Sequence, residues 1–145
     1  MIENMKRCSC ADIPENTIHK LAIVLMKEGR TIVVKKEGLD EYISLGGKHE
    51  GNETFEECLA REAMEELGIE ISNPRLLGRY QDLTVDTGIP IILDAYLAEA
   101  FGECKPQSEI VEYLWIDTDW EKQKIKLASI LRKGIIPELI NRGLL

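Results

Sequence analysis

The 145-residue sequence contains no run of apolar residues that approaches the roughly 20 needed to cross a bilayer. This absence argues against a membrane partner. Residues 1–7 also lack the apolar centre of a secretory signal, which favours a cytoplasmic protein. Because the chain shows no repeat, low-complexity stretch or linker either, we expect one domain over residues 1–145, with residues 1–16 as a lead-in.

Basic residues are scarce relative to acidic ones. Lys and Arg total 18 against 26 Asp and Glu, which gives a formal net charge of −8. Such a chain is a poor electrostatic match for a nucleic-acid backbone, so the composition argues against a nucleic-acid polymer as partner. A small phosphorylated substrate stays compatible with it, because a bound metal ion can reverse the local field.

Cysteine is also sparse, with four residues in the whole chain. Cys8 and Cys10 form a CxC pair, but no second pair stands elsewhere in the sequence to complete a four-ligand zinc site. Free thiols in a reducing compartment are therefore favoured over zinc.

Residues 47–69 are the most informative part of the sequence. A helix advances about 100° per residue, so Glu62, Glu65 and Glu66 share one stripe of a helix here. The opposite side is predicted to pack, and its small or apolar residues are Leu59, Ala60, Ala63, Met64 and Leu67. Carboxylates crowded in this way repel one another, and a divalent cation would neutralise them.

The sequence marks both ends of this helix. Residues 54–57, Thr-Phe-Glu-Glu, have the form of a capping box, and Gly68 stands where a left-handed C-terminal residue is expected. Before the helix, a short apolar run at residues 42–45 ends in Gly46 and Gly47, where backbone can approach a ligand closely. We predict a strand, a glycine turn and a helix.

The fixed positions of this segment resemble the Nudix box. That pattern is Gly, five residues, Glu, seven residues, Arg-Glu, a hydrophobic residue, one residue, Glu-Glu, one residue, Gly and a hydrophobic residue. Gly47, Glu53, residues 61–66, Gly68 and Ile69 fill every fixed position. Ala63 is smaller than the aliphatic residue usual at its place, and proline is usual where Leu45 stands, but neither change removes a catalytic group. The chain is identified as a MutT-like member of the Nudix hydrolases.

The resemblance implies a fold of the α/β (α+β) class, an α/β/α sandwich with a mixed central sheet and a helical C-terminal tail. The pattern of the chain fits this architecture. It predicts hairpins over residues 18–35 and 75–98 and a strand at 109–117. It also predicts tail helices at 122–132 and 137–143, separated by a break at 133–134.

The resemblance also implies a reaction and a set of residues. Family members use Mg²⁺, or Mn²⁺, to cleave a nucleoside diphosphate linked to another group. The implied metal ligands are Glu62, Glu66, Glu65 and a backbone carbonyl at Gly46 or Gly47. The implied catalytic set is Glu65, Glu62, Arg61, Glu53 and Glu109. In this set Arg61 and Glu53 form a structural pair, and Glu109 comes from a later loop as ligand or general base.

Several alternatives stay open from the sequence. Which glutamate is the general base is undecided, Glu112 is the weaker alternative to Glu109, and a solvated charge is the third interpretation of Glu109. Lys48 and His49 are interpreted as incidental loop residues. Residues 80–86 and 102–108 are predicted to read the substrate, whose identity no rule gives. The frequency of C₂ dimers and of dimers in the family favours a homodimer.

The function favoured within the family is hydrolysis of a nucleoside triphosphate to a monophosphate and pyrophosphate, because the chain carries little beyond the core. Hydrolysis of ADP-ribose or a nucleotide sugar is the runner-up. A nucleotide-sensing module without hydrolysis is a further alternative, although such members typically lack glutamates that are all present here: Glu62, Glu65 and Glu66. An isoprenoid diphosphate isomerase would need further residues that the sequence does not offer.

Overall fold

The computed structural model describes residues 13–83 and 87–145 of the chain. The strands are β1 (Ile18–Lys27), β2 (Arg30–Lys36), β3 (Leu45–Lys48), β4 (Glu70–Leu83), β5 (Pro90–Phe101) and β6 (Ile110–Ile116). The helices are α1 (Phe55–Leu67) and α2 (Ile136–Asn141), and a π-helical turn (Leu131–Ile135) leads directly into α2. Cys8 and Cys10 lie outside the described residues, so free thiols there stay a prediction.

Strand β1 is central to a six-stranded mixed sheet. The strand order is β4-β5-β1-β2-β6, and β3 adds to β1 outside this path. β1 runs parallel to β5 over residues 18–25 and antiparallel to β3 over residues 20–23. It pairs with β2 only at the hairpin, where Met26 faces Thr31 and Lys27 faces Arg30. Because β2 pairs only with the end of β1, β3 pairs with the first half of β1 instead.

Alternating side chains of β1 serve two cores, one on each face of the sheet. Leu21, Ile23 and Leu25 pack in the cluster under α1. Ala22 and Val24 pack in the cluster that the π-helical turn and α2 complete. This period of two is what a strand buried on both faces requires. The layers confirm the predicted α/β/α sandwich, and the predicted first hairpin and last strand are present as β1, β2 and β6.

The predicted tail helix at residues 122–132 is wrong for its first part, because helical residues begin only at Ser129. Residues 118–124 form turns, and Lys124 has a φ of 61°, which a helix does not allow. Beyond them, the Tyr42 N–H donates to the Lys126 carbonyl at 2.8 Å, and the Ala128 N–H donates to the Tyr42 carbonyl at 2.9 Å. This pairing uses the backbone groups that a helix would need. Within the described residues, no helix is long and apolar enough to span a membrane.

Two boundaries also differ from the predicted ones. The strand expected at residues 42–45 begins instead at Leu45 and runs through the glycine pair to Lys48, because Gly46 and Gly47 pair with β1. The break expected at 133–134 lies inside the π-helical turn, whose wide winding carries the chain into α2. The glycine segment is therefore a strand of the sheet and not a free turn.

A buried carboxylate links β1, β4 and β5. Asp94 is 2% exposed and accepts hydrogen bonds from His19 at 2.7 Å and from Arg79 at 2.8 and 3.0 Å. Burial by itself would raise the pKa of Asp94, but the hydrogen bonds from His19 and Arg79 outweigh it and hold that pKa below its usual value. The His19 ring also lies near Phe55, at a centroid distance of 6.2 Å, so this group supports the start of α1.

Asp94→Asn is expected to lower the free energy of unfolding by about 3 kcal/mol at neutral pH, because it removes the buried charge to which both His19 and Arg79 bond. The folded-state pKa of Asp94 lies below the unfolded value of about 4, so its stabilisation is present above that pH and is lost as the pH falls through the folded value. Urea unfolding from neutral to acidic pH measures this, and wild type and variant should converge in acid.

Glu99→Gln is the control for Asp94→Asn, because it breaks the ion pair of Glu99 with Arg75, in which both side chains are about half exposed. It should change the free energy of unfolding by less than about 1 kcal/mol. A loss in Asp94→Asn that stays constant from neutral to acidic pH would contradict the assignment.

Candidate functional site

Reciprocal hydrogen bonds fix the ends of helix α1. The Thr54 hydroxyl accepts from the Glu57 N–H at 3.1 Å, and the Glu57 carboxylate accepts from the Thr54 N–H at 2.7 Å. At the other end, Gly68 has a φ of 66° and its N–H donates to the Ala63 and Met64 carbonyls. Both ends lie where the sequence predicts them. They set the directions in which the carboxylates of the helix point.

The Glu66 carboxylate is buried against β3. It is 4% exposed, and one of its oxygens accepts from the Gly46 N–H at 2.9 Å. Burial raises the pKa of Glu66 to about 7, although that hydrogen bond acts in the opposite direction. Gly46 has a φ of 131°, and a Cβ there would overlap the Leu21 carbonyl oxygen. Only glycine can therefore bring this N–H to the carboxylate.

Glu62 lies one turn before Glu66 and meets the next glycine. A Cβ on Gly47 would overlap the Glu62 carboxylate, so the absence of a side chain makes room for it. Burial raises the pKa of Glu62, and the charge of Arg61 acts in the opposite direction. Two poorly hydrated carboxylates thus face consecutive glycines of β3.

Arg61 ties the loop between β3 and α1 to the helix. Its guanidinium donates to the two Glu53 carboxylate oxygens at 3.1 and 2.8 Å and to the Lys48 carbonyl at 3.1 Å. It also donates to Glu62 at 3.0 Å and to Glu65 at 3.2 Å. The bond from Arg61 lowers the pKa of Glu53 to about 2. One planar cation therefore holds the loop and orients two carboxylates.

Cys58 and His49 pack behind this arginine. The Cys58 thiol is fully buried and donates to the Lys48 carbonyl at 3.7 Å, and burial raises its pKa to about 12. The His49 ring stands edge-on to Phe55 at 5.4 Å and hydrogen-bonds the Glu53 carbonyl. The histidine interpreted as incidental is thus a packing element of the loop.

The remaining predicted residues lie at the rim of the site. The Glu65 side chain is 53% exposed. Glu109 stands just before β6, its side chain is 59% exposed, and it pairs with Lys36 at 3.1 Å. The charges of both Lys36 and Glu109 influence the pKa of Glu66, so Glu109 lies within electrostatic reach of the buried carboxylate.

The packing side of α1 differs from the predicted one. The buried residues of the helix are Phe55, Cys58, Leu59, Ala63, Glu66 and Leu67. Ala60 is exposed, and Met64 is 46% exposed. Because Glu66 points inward to Gly46, the buried side of the helix is rotated toward Glu66. Ala60 and Met64, which lie farthest around the helix from Glu66, are therefore exposed.

A cleft of about 410 Å³ opens at Gly46 and Gly47, between the start of β1 and the tail. Its charged lining residues are Lys20, Lys36, Glu41 and Asp82. Its walls are mainly aliphatic, formed by Leu39, Ile43, Leu83, Ile91, Leu93 and Ile130. Strand β3, called the glycine strand below, therefore lies between the carboxylates of α1 and a mainly apolar cleft that contains Lys20 and Lys36.

The two loops predicted to read the substrate differ in position. The first contributes Asp82 and Leu83 to the cleft, whereas residues 84–86 lie outside the described residues. In the second, the N–H groups of Lys105 and Gln107 donate to the last two carbonyls of α1 at 2.9 and 3.0 Å. This second loop caps the helix instead of lining the cleft.

The NUDIX domain model matches residues 17–139, which is most of the chain. The chain belongs to the NUDIX family. This Nudix chain is 34% identical over 101 residues to a protein named NAD-capped RNA hydrolase NudC from Vibrio vulnificus (strain CMCP6), covering 69% of the chain and 38% of that relative. A protein of the same name from Chromobacterium violaceum is 30% identical over 117 residues, covering 77% of the chain and 42% of the relative.

The chain spans about two fifths of the length of these curated relatives. Solved structures match it over most of their length. The MutT protein from Methanosarcina mazei Go1 superposes with a TM-score of 0.72 at 21% identity, covering 91% of this chain and 98% of that one. A MutT NUDIX hydrolase from Burkholderia pseudomallei gives 0.65 at 23% identity, covering 72% and 86%. These likenesses confirm the Nudix fold.

Sequence reasoning missed two cleft residues of this Nudix domain, Lys20 and Lys36. Both stand in strands whose other residues are mostly apolar and buried. A lysine within an otherwise buried strand is unusual, and this was the available signal. The strand pattern does not reveal that both line one cleft beside the glycine pair, because their neighbours come from distant parts of the chain.

Arg61→Gln is expected to release residues 48–53 of the Nudix domain from α1, because it removes the paired bonds to Glu53 and the bond to the Lys48 carbonyl. We expect the free energy of unfolding to fall by about 1–3 kcal/mol. Amide hydrogen exchange should accelerate at Glu50, whose N–H donates to the Glu53 carboxylate at 2.8 Å. Arg75→Gln, at an exposed ion pair, is the control. Unchanged exchange over residues 48–53 would contradict this role.

Proposed function

We propose that this Nudix protein is a Mg²⁺-dependent pyrophosphohydrolase that converts a nucleoside triphosphate to a nucleoside monophosphate and pyrophosphate. The observation that supports this most is the pair of carboxylates facing the glycines of β3, the buried Glu66 and the largely buried Glu62. Such a pair is unfavourable without a cation, and its strand borders a cleft with lysines at its edge. A metal-assisted reaction at a phosphate chain needs both features.

The donor set suits a hard divalent cation. Carboxylate and carbonyl oxygens are the ligands that Mg²⁺ prefers, and Glu62, Glu65, Glu66 and the Gly47 carbonyl would hold it. Within residues 13–83 and 87–145, no three carboxylate, imidazole or thiol groups are close enough together to hold a metal as they stand. Arg61 engages Glu62 and Glu65, so those side chains would have to turn from the arginine toward the cation. Mn²⁺ would fit the same oxygens.

The roles of the chain's own groups follow from their contacts. The chemistry that a bound Mg²⁺ supplies is neutralisation of phosphoryl charge and activation of water. Arg61 and Glu53 hold the loop against α1 and so fix where Glu62 and Glu65 lie. Glu65 and Glu109, both exposed at the rim, are the carboxylates that can take a proton from attacking water. The cleft receives the remainder of the substrate.

A dinucleotide pyrophosphate is the second candidate substrate. The two curated relatives are named NAD-capped RNA hydrolases, and the chain aligns with about two fifths of each. Hydrolysis of such a compound would release two monophosphates and no pyrophosphate. Product identification therefore separates this candidate from the triphosphate reaction, and ADP-ribose and nucleotide sugars belong in the same panel.

Glu66→Gln is expected to lower turnover by several orders of magnitude while the fold survives, because it removes a charged ligand but keeps the shape and an acceptor oxygen for the Gly46 N–H. Purified protein with Mg²⁺ would be tested on nucleoside triphosphates, NAD, ADP-ribose and nucleotide sugars, with products identified by mass. Glu70→Gln, at the exposed start of β4, is the matched control. Wild-type turnover in Glu66→Gln would refute the site.

Glu109→Gln is expected to lower kcat about 10²- to 10⁴-fold if Glu109 is the general base. Glu112→Gln is the matched control, because Glu112 is also exposed near the same edge of β6 and also pairs with a lysine, Lys35, at 3.4 Å. It should keep nearly full kcat. Equal rates in the two variants would assign the proton transfer to another carboxylate, and Glu65→Gln is then the next variant to measure.

A further inference from the structure

Three lysines converge where β1 meets the glycine strand. The Cα partner of Lys20 on β3 is Lys48, and the next residue of β1, Leu21, faces Gly47. Side chains of directly opposed antiparallel residues leave the sheet on the same side. Lys20 and Lys36 both line the cleft beside the glycine pair. Glu41 and Asp82 also line the cleft, but among the described residues neither forms an ion pair with these lysines.

Lys20 is partly buried and has no ion pair among the described residues, whereas Lys48 is exposed to solvent. Lys36 has a partner, the Glu109 carboxylate at 3.1 Å. Among residues 13–83 and 87–145, the Lys20 side chain has no ion-pair or hydrogen-bond partner. Burial lowers its pKa, and the charges of Lys36 and Lys48 lower it further, while Glu66 and Glu109 act in the opposite direction. A partly buried ammonium without a partner is unfavourable, and an anion beside it would compensate it.

The glycine strand separates two regions that need ligands of opposite charge. On the side of α1, Arg61 pairs with Glu62 but not with the neighbouring Glu66, so a further cation would compensate the two carboxylates. On the side of the cleft, Lys20 needs an anion. Gly46 and Gly47 place no side chain between them. A chain of three phosphates can satisfy both regions at once, because part of it lies with the cation while its end reaches the lysines.

We propose that Lys20, assisted by Lys36 and Lys48, binds the terminal phosphate of a polyphosphate chain and so selects triphosphates over diphosphate esters. The inference rests on the proposed function for the reaction, whereas binding of the phosphate chain is independent of turnover. The aliphatic walls of the cleft exclude water and strengthen the attraction between the ammonium and the phosphate. Lys20 is in this role a specificity-determining residue.

The test measures binding of inorganic tripolyphosphate to the full chain by titration calorimetry at low salt, with and without Mg²⁺. Lys20→Gln should weaken this binding about tenfold or more, because it removes a charge-assisted contact. Lys122→Gln removes the same charge from a side chain that is 86% exposed in the tail, and should change the affinity less than about twofold. Lys20→Arg should restore most of the affinity. Circular dichroism and thermal unfolding show whether each variant is folded.

Kinetics then distinguish this inference from the proposed function. For a hydrolysed triphosphate, Lys20→Gln should raise KM about tenfold with little change in kcat, and should leave KM for a diphosphate ester almost unchanged. If wild type hydrolyses nothing, the proposed function fails, and tripolyphosphate binding still decides the role of Lys20. Equal affinity in folded Lys20→Gln and wild type, or no binding by wild type under either condition, would overturn the inference.

Discussion

The guanidinium of Arg61 is the contact on which the arrangement of the site depends. It joins three parts of the chain, namely the end of β3, the following loop and the carboxylates of α1. A flexible ammonium could not make the paired bonds to Glu53 and still reach Glu62. The same cation donates hydrogen bonds to Glu62 and Glu65 and so holds both carboxylates in place.

The glycine pair of β3 lies between charged groups of opposite sign. Carboxylates approach Gly46 and Gly47 from the helix, and lysines gather on the side of the cleft. If the two groups could touch directly, they would neutralise one another and leave no attraction for a ligand. The backbone of Gly46 and Gly47 lies between Glu66 and Lys20, and neither side chain has an ion pair among the described residues, so both keep their attraction for an outside ion. The sheet thereby contributes to recognition as well as to stability.

Features encoded locally were predictable, and features created by distant contacts were not. The ends of α1 follow from Thr54 and Gly68, which act on their own neighbours, and the carboxylate stripe follows from helical spacing. The first part of the tail was mispredicted because Tyr42, far away in sequence, takes the backbone groups of residues 126–128. Met64 was misplaced because an inward glutamate rotates the packing side of the helix. Lys20 was missed because only the folded sheet brings it beside the glycine strand.

Cys58 gives the loop and helix a consequence that can be followed in time. Its sulfur lies under Arg61 and against the Lys48 carbonyl, without exposure to solvent, and burial keeps it in the thiol form. A thiol reagent can reach it only after the loop has moved away from α1, and the reactive thiolate forms only then. The rate at which this one sulfur is modified therefore reports how often the site opens, and a ligand that closes the site would slow it.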